Sequence, residues 1–283
     1  MHRCLQVPEI ISLICIEISG DKPLAITSHT SLAALAQTCK FFQDPALDEL
    51  WKAQSSLKPL LRCFPADALA KDKQGRLLFY RPLERRDWSR VLFYAPRIKV
   101  LTSKINTVTR QFPAPEYDFA DISVWQMLAI SKPPSLKHFL PNLRSLAWHE
   151  SQDATSPFII LLLAPTVTHL DFWTKTTAAE SPLLLSVVPS LHELCPLLEH
   201  IQLLGQTTPT GIRIVSEMVS QWNSLRQIDI DTLNPRALLH LANMPTLEIL
   251  RIWGAYQLGE VRWTGDELFP VLRQLILRNP NMT

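Results

Sequence analysis

One phrase recurs down the chain and limits what it can fold into: Pro-x-Φ-x-x-Φ-x-Φ, where Φ is apolar. It places Leu143, Leu146 and Trp148 after Pro141, and Val167, Leu170 and Phe172 after Pro165. Leu198, Ile201 and Leu203 follow Pro196, and Leu225, Ile228 and Ile230 follow Asn223 in place of the proline. Leu247, Leu250 and Ile252 follow Pro245, and Leu272, Leu275 and Leu277 follow Pro270. The first apolar positions of these six copies lie 24, 31, 27, 22 and 25 residues apart. The last two apolar residues of each copy alternate with others, as a short strand requires. The proline ends whatever helix precedes it.

The intervals carry helical spacing. Asp121 to Ile130 holds Ile122, Trp125 and Leu128, and Ser181-Pro182 caps a run with Leu184, Leu185, Val188 and Leu191. Thr210 to Trp222 holds Ile212, Val215, Met218, Val219 and Trp222, and Asn234-Pro235 caps Leu238, Leu239 and Leu241. An N-cap followed by proline at the first helical position suits both starts. A weaker copy of the phrase begins at Pro96, with Ile98 and Leu101 in place but Ser103 breaking it. Repetition at a period in the twenties resembles the leucine-rich repeat family. That resemblance implies a parallel sheet on the concave side and helices on the convex side. The asparagine usual after each strand is replaced by Ser151, Gln206, Leu233, Ala255 and Pro280, so the expected solenoid is irregular.

The N-terminus poses a different constraint. Pro8 and Glu9 suit a helix start, the first lacking an N–H and the second facing the positive dipole end. Ile10, Ile11, Ile14 and Ile18 share one face; Leu13, Cys15 and Ile16 cover much of the other. A helix apolar nearly all round needs burial on two sides. Thr30 or Ser31 caps a second helix to Lys40 with Leu32, Leu35, Ala36 and Cys39 on one stripe. Asp44-Pro45 reads as the start of a third, with Leu47, Leu50 and Trp51 along one face and Trp51 as anchor. Leu5-x-x-Pro8-Glu9-Ile10, then Leu32, Leu35, Cys39 and Phe42, then Leu50-Trp51, resembles the F-box over roughly residues 4 to 53, including the large fungal F-box families. The resemblance implies binding of a Skp-type adaptor, and through it a cullin scaffold, by Leu5, Pro8, Glu9, Ile10, Ile14, Leu32, Leu35, Cys39, Phe42, Leu50 and Trp51.

The expected architecture is therefore α/β: F-box helices over 1–55, linker helices over 56–95, and an irregular leucine-rich-repeat solenoid over 96–283. In the linker, Leu57 to Leu69 reads as one or two helices, Lys71 to Arg76 as a loop, and Asp87 to Ala95 as a helix. Residues 71 to 104 hold ten Lys/Arg against three Asp/Glu, a local charge of +7 in a chain of net +2. Without a helix-turn-helix, zinc-finger or RNA-recognition pattern, a solvated basic face is preferred over a nucleic-acid site. The five cysteines, Cys4, Cys15, Cys39, Cys63 and Cys195, are scattered and odd in number, which suits reduced thiols and a cytoplasmic or nuclear setting. Apolar runs such as Phe158 to Ala164 are too short to span a bilayer. Polar residues Gln6, Glu9 and Glu17 interrupt any leader-like reading of Met1 to Ile18.

In repeats of this kind the residues between the buried positions face the concave surface. There Trp173, Trp253 and Arg251 are of the types that anchor interfaces, and Asp171, Asp229 and Asp231 give an acidic middle. The expected ligand is a protein segment with basic and apolar character. No catalytic constellation is present: His192-Glu193-Leu194-Cys195-Pro196 lacks the second histidine of H-E-x-x-H, and neither a G-x-S-x-G elbow nor a P-loop occurs. The expectation is a non-catalytic receptor without metal or cofactor, with a repeat scaffold working outside a ligase as the alternative.

Overall fold

The computed structural model of the protein describes residues 7–20, 26–102, 120–150, 156–174, 182–204, 208–254 and 268–278. Leu5 and Cys4 lie outside them. The architecture is mixed α/β around one eight-stranded parallel sheet.

Three helices come first: α1 (Pro8–Ser19), α2 (Ile26–Ala36) and α3 (Lys40–Lys52). Pro8 opens α1 as expected. At its end Gly20 takes φ of 60° while its N–H reaches the Ile16 carbonyl, a turn that disfavours a side chain. The second helix is displaced from the expected Ser31–Lys40. Ser28 Oγ donates to the Ser19 carbonyl at 3.1 Å, tying its first turn to the end of α1, and Thr38 Oγ1 bonds back to the Leu35 carbonyl at 2.7 Å, closing it early. The third helix starts four residues before Asp44. The Cys39 carbonyl accepts from Phe42 and Gln43 N–H and nucleates a turn ahead of Pro45. Pro45 is thus inside the helix rather than at its first position, where its ring removes one ladder bond without stopping the chain.

The next strand, β1 (Ala53–Gln54), follows α3 directly. A short helix α4 (Lys58–Leu61) leads to an antiparallel hairpin of β2 (Leu69–Lys71) and β3 (Leu77–Phe79). This replaces the helix expected up to Leu69. The hairpin turn is built by Asp72, whose Oδ1 accepts from the N–H of Gln74 and Arg76 at 2.8 Å each, with Gly75 at φ 82°. A 3-10 turn (Arg85–Trp88) and α5 (Ser89–Tyr94) stand where one helix was expected.

From there strands recur with mostly helical connections: β4 (Val100–Leu101), α6 (Ile122–Ser131), β5 (Ser145–Glu150), a 3-10 helix (Ser156–Leu161), β6 (His169–Thr174), α7 (Pro182–Val187), α8 (Leu191–Leu194), β7 (His200–Leu204), α9 (Pro209–Val219), β8 (Gln227–Ile230), α10 (Pro235–Ala242), β9 (Ile249–Ile252) and β10 (Gln274–Leu277). The sheet order is β1-β4-β5-β6-β7-β8-β9-β10. Asn234 caps its helix as its sequence suggests, Ser181 lies outside the described residues, and the caps at Asp121 and Thr208 are additional. Asp121, Thr208 and Asn234 accept from the N–H of Ser123, Gly211 and Ala237.

The register is held by one repeated device. The Lys99 N–H donates to the Lys52 carbonyl, and the Lys99 carbonyl then accepts from both Arg144 and Ser145. The carbonyls of Arg144, Thr168, Glu199, Arg226 and Glu248 each accept two successive N–H groups from the next unit in the same way. A second tie appears where the residue after the proline is polar: Asn142 Nδ2 reaches the Pro96 carbonyl, and the hydroxyls of Thr166 and Thr246 reach those of Leu143 and Leu225.

One sheet face is buried. Leu146, Trp148, Leu170, Phe172, Ile201, Leu203, Ile228, Ile230, Leu250 and Ile252 join a core that also takes Val215, Met218, Val219, Leu238 and Leu241 from the helices. A separate small cluster holds the N-terminal helices together: Ile11, Cys15, Leu32 and Ala46, flanked by Ile18, Leu35, Phe42 and Leu50. Trp51 belongs to the larger core instead. Its ring stacks on Tyr94 at 4.4 Å and 23°, while Arg97 bonds Asp44 at 2.7 Å and also pairs with Asp48. The helices and the sheet thus share β1, a stack and an ion-pair cluster across the boundary expected near residue 55.

Replacing Trp51 with alanine removes the stack at this junction. Unfolding free energy should fall by about 3 kcal/mol, measured by urea denaturation followed by tryptophan fluorescence.

Candidate docking surfaces

Helix α1 divides its apolar residues between two environments. Ile11 and Cys15 are 1% exposed, Ile14 and Ile18 half-buried, and all turn towards the small cluster or its margin. Val7, Ile10, Leu13 and Ile16 remain 39%, 37%, 61% and 46% exposed, joined by Phe41 at 58%. The face reading from sequence needs one exchange: Cys15 goes inward and Ile10 outward. Pro8 and Glu9 are also exposed at the start of this face.

The expected adaptor-binding residues therefore separate. Pro8, Glu9 and Ile10 are accessible, and Ile14 is partly so. Leu32 is fully buried, while Leu35, Phe42 and Leu50 pack against its cluster and so hold the helices together. Cys39 sits half-buried at the start of α3. Trp51 is committed to Tyr94. Leu13, Ile16 and Phe41 are accessible members that the motif does not mark; the all-round apolarity of α1 was the signal for the first two.

The other surface is the open face of the sheet. Pairing aligns Ser145, His169, His200, Gln227, Ile249 and Gln274 in one row, and Ala147, Asp171, Gln202, Asp229, Arg251 and Ile276 in the next. His169 and His200 stack face to face at 4.0 Å and 24°, with Thr168 Oγ1 at 2.8 Å from His169 Nδ1. Burial, with the neighbouring His169 second, holds the His200 imidazole below its usual pKa.

Asp229 does not present a bare carboxylate. It is 3% exposed. Its Oδ2 accepts from Arg251 Nη1 at 2.9 Å and Gln227 Nε2 at 3.1 Å, and its Oδ1 accepts from Trp253 Nε1 at 3.0 Å. Arg251 also donates to Gln274 Oε1 at 2.9 Å, and the Arg278 guanidinium lies 5.1 Å from the centre of the Trp253 ring. The acidic middle expected from Asp171, Asp229 and Asp231 is thus altered at its centre. Cross-strand donors satisfy Asp229, leaving half-buried Asp171 and Asp231 as the acidic members with surface. Trp253 and Arg251 are held in place by that carboxylate. The side chain of Trp173 lies outside the described residues. The backbone after β9 is tied to β8 and its end by Trp253 N–H to the Ile230 carbonyl and Gly254 N–H to the Asp231 carbonyl, an approach so close that a Cβ on Gly254 would meet Thr232 Oγ1 at 2.5 Å and the Asp231 carbonyl at 2.7 Å.

Cysteine and basic residues are absorbed by structure. Cys195 is buried, which pushes its thiol up to about 12. His192 Nδ1 contacts the Pro189 carbonyl, and His200 is in the imidazole stack. No cluster of three or more His, Cys, Asp or Glu suited to a metal occurs among the described residues, nor any helix long and apolar enough to cross a membrane. In the basic stretch, Arg81 pairs with Asp67 and with buried Asp87, Arg76 with Asp72 and Asp121, and Arg97 with α3. Arg81, hydrogen-bonded to Asp87, holds that carboxyl below its usual range.

Asp229→Ala removes the carboxylate that accepts from Trp253 Nε1 and from Arg251 Nη1; it should cost about 2 kcal/mol, and Asp229→Asn less, both read by urea denaturation. A histidine held below its ordinary pKa disfavours the folded state once it is protonated. Stability should therefore decline as pH falls below about 6.5, and His200→Gln should flatten that decline in denaturation midpoints taken from pH 7.5 to 5. No protein-family model matches the chain, and no curated protein matches it either.

Proposed function

We propose that the protein is a non-catalytic substrate receptor of an SCF-type cullin–RING ubiquitin ligase, with its first three helices acting as an F-box and its repeats as an irregular leucine-rich-repeat solenoid. The observation that carries the reading is the outer face of α1. Val7, Ile10, Leu13 and Ile16, with Phe41, stay open although the same helix buries Ile11 and Cys15. Several large apolar residues left exposed along one short helix mark a partner surface. The motif residues Pro8, Glu9 and Ile10 lie on the accessible side with them. In this reading the open sheet face, with Asp171, Asp231, Arg251 and Trp253, takes a protein substrate. The receptor then acts by raising the local concentration of that substrate near the charged enzyme.

A repeat scaffold outside a ligase is the second reading. It is favoured by the sharing of β1, Trp51 and Arg97 between helices and sheet, which gives the helices a stabilising task of their own.

Co-purification with a Skp-type adaptor separates the two. The wild-type chain should capture the adaptor, and Ile10→Asp with Leu13→Asp should reduce capture at least tenfold at unchanged thermal stability, since both side chains face outward. A correctly folded wild-type chain that captures no adaptor would leave the scaffold reading standing.

A further inference from the structure

The β2–β3 hairpin carries a site separate from both docking surfaces. Phe64, Leu69 and Leu77 line a cavity of about 260 Å³, room for one large side chain and below the usual range of small-molecule sites. Arg62 and Lys71 also line it. Both are exposed, and neither pairs with a carboxylate among the described residues. The contrast is with Arg76, Arg81 and Arg97 of the same region, all of which do.

The backbone adds an independent observation. In the hairpin Leu69 faces Phe79, Ala70 faces Leu78 and Lys71 faces Leu77. Tyr80 N–H donates to the Ala68 carbonyl and Asp72 N–H to the Arg76 carbonyl. Bonded pairs alternate along an antiparallel ladder, so Leu69 and Lys71 aim their N–H and C=O groups away from β3. No other strand lies beside β2 among the described residues. An open strand edge next to an apolar cavity is a template for an added extended chain.

We propose that this site takes an extended peptide which pairs with β2, places an aromatic side chain against Phe64, Leu69 and Leu77, and sets carboxylates beside Arg62 and Lys71. Side chains on one face of a strand recur every second residue, so the recognised pattern is acidic-x-aromatic-x-acidic. The free backbone edge favours a peptide over a small molecule, and the two uncompensated cations favour an acidic one. The site does not depend on the receptor reading.

The test uses the full chain and a fluorescein-labelled heptapeptide, Gly-Asp-Thr-Phe-Thr-Asp-Gly, followed by fluorescence anisotropy. Saturable binding is expected. Arg62→Glu with Lys71→Glu should weaken it at least tenfold while strengthening binding of the same peptide with lysines in place of aspartates. A peptide N-methylated at the amides facing β2 should bind at least tenfold more weakly than its parent. Absence of saturable binding, or equal affinity of the wild type and the charge-reversed variant, would overturn the proposal. So would tighter binding of a single-stranded RNA oligonucleotide by the same two cations.

Discussion

The parallel sheet is hung from a single line of carbonyl groups. It starts at Lys52, the last residue of α3, and runs through Lys99, Arg144, Thr168, Glu199, Arg226 and Glu248. From Lys99 onward each carbonyl receives two N–H groups from the next unit. A residue that slipped by one along any strand would turn its apolar partners to the open face, and the double acceptor opposes that slip at the strand's first residue. The apolar residues of successive strands then gather on one side, and the helices have one apolar face on which to settle.

The same line explains how the N-terminal helices relate to the rest. They have a small core of their own around Ile11, Cys15, Leu32 and Ala46, too slight for independent stability. The sheet supplies what they lack, through β1, the Trp51–Tyr94 stack and the Arg97 cluster. Of the motif residues, Trp51 is consumed at this junction, and Leu32, Leu35, Phe42 and Leu50 in the small cluster. What is left for a partner is narrow, chiefly the outer side of α1. At the far end of the sheet the polar row is similarly occupied: Asp229 organises Arg251, Trp253 and Gln227, so that the aromatic and the guanidinium are offered in fixed positions.

Strands β5 to β9 were legible in the sequence because burial parity is a local property: Leu170 and Phe172, or Leu250 and Ile252, declare it by themselves. In β10 the same spacing predicts an inward Leu275, which is 50% exposed, because this strand stands at the end of the sheet. The helix cap at Asn234 was legible for the same reason. Strand β1 was not, since two residues carry no period and their partner lies over forty positions away. The β2–β3 hairpin was hidden by its three-residue strands, although Asp72 and Gly75 mark its turn. The fate of Asp229 was also hidden. Its position on the open face is local information, whereas the closure of Arg251 and Trp253 over it depends on the register between units. Trp51 reads as an anchor from its spacing, but spacing gives a helix face without naming what faces it, and the body Trp51 packs against is the larger core.

Because β1 is at once the end of α3 and the first strand of the sheet, the sheet serves as a ruler whose zero is fixed on the helices. Neighbouring strands are spaced by about 4.8 Å, and β8 lies five strands along from β1, so Asp229 sits on the order of 24 Å from that origin. Lengthening a connection between strands leaves this distance unchanged, whereas inserting or deleting one whole unit shifts every later strand by a single increment.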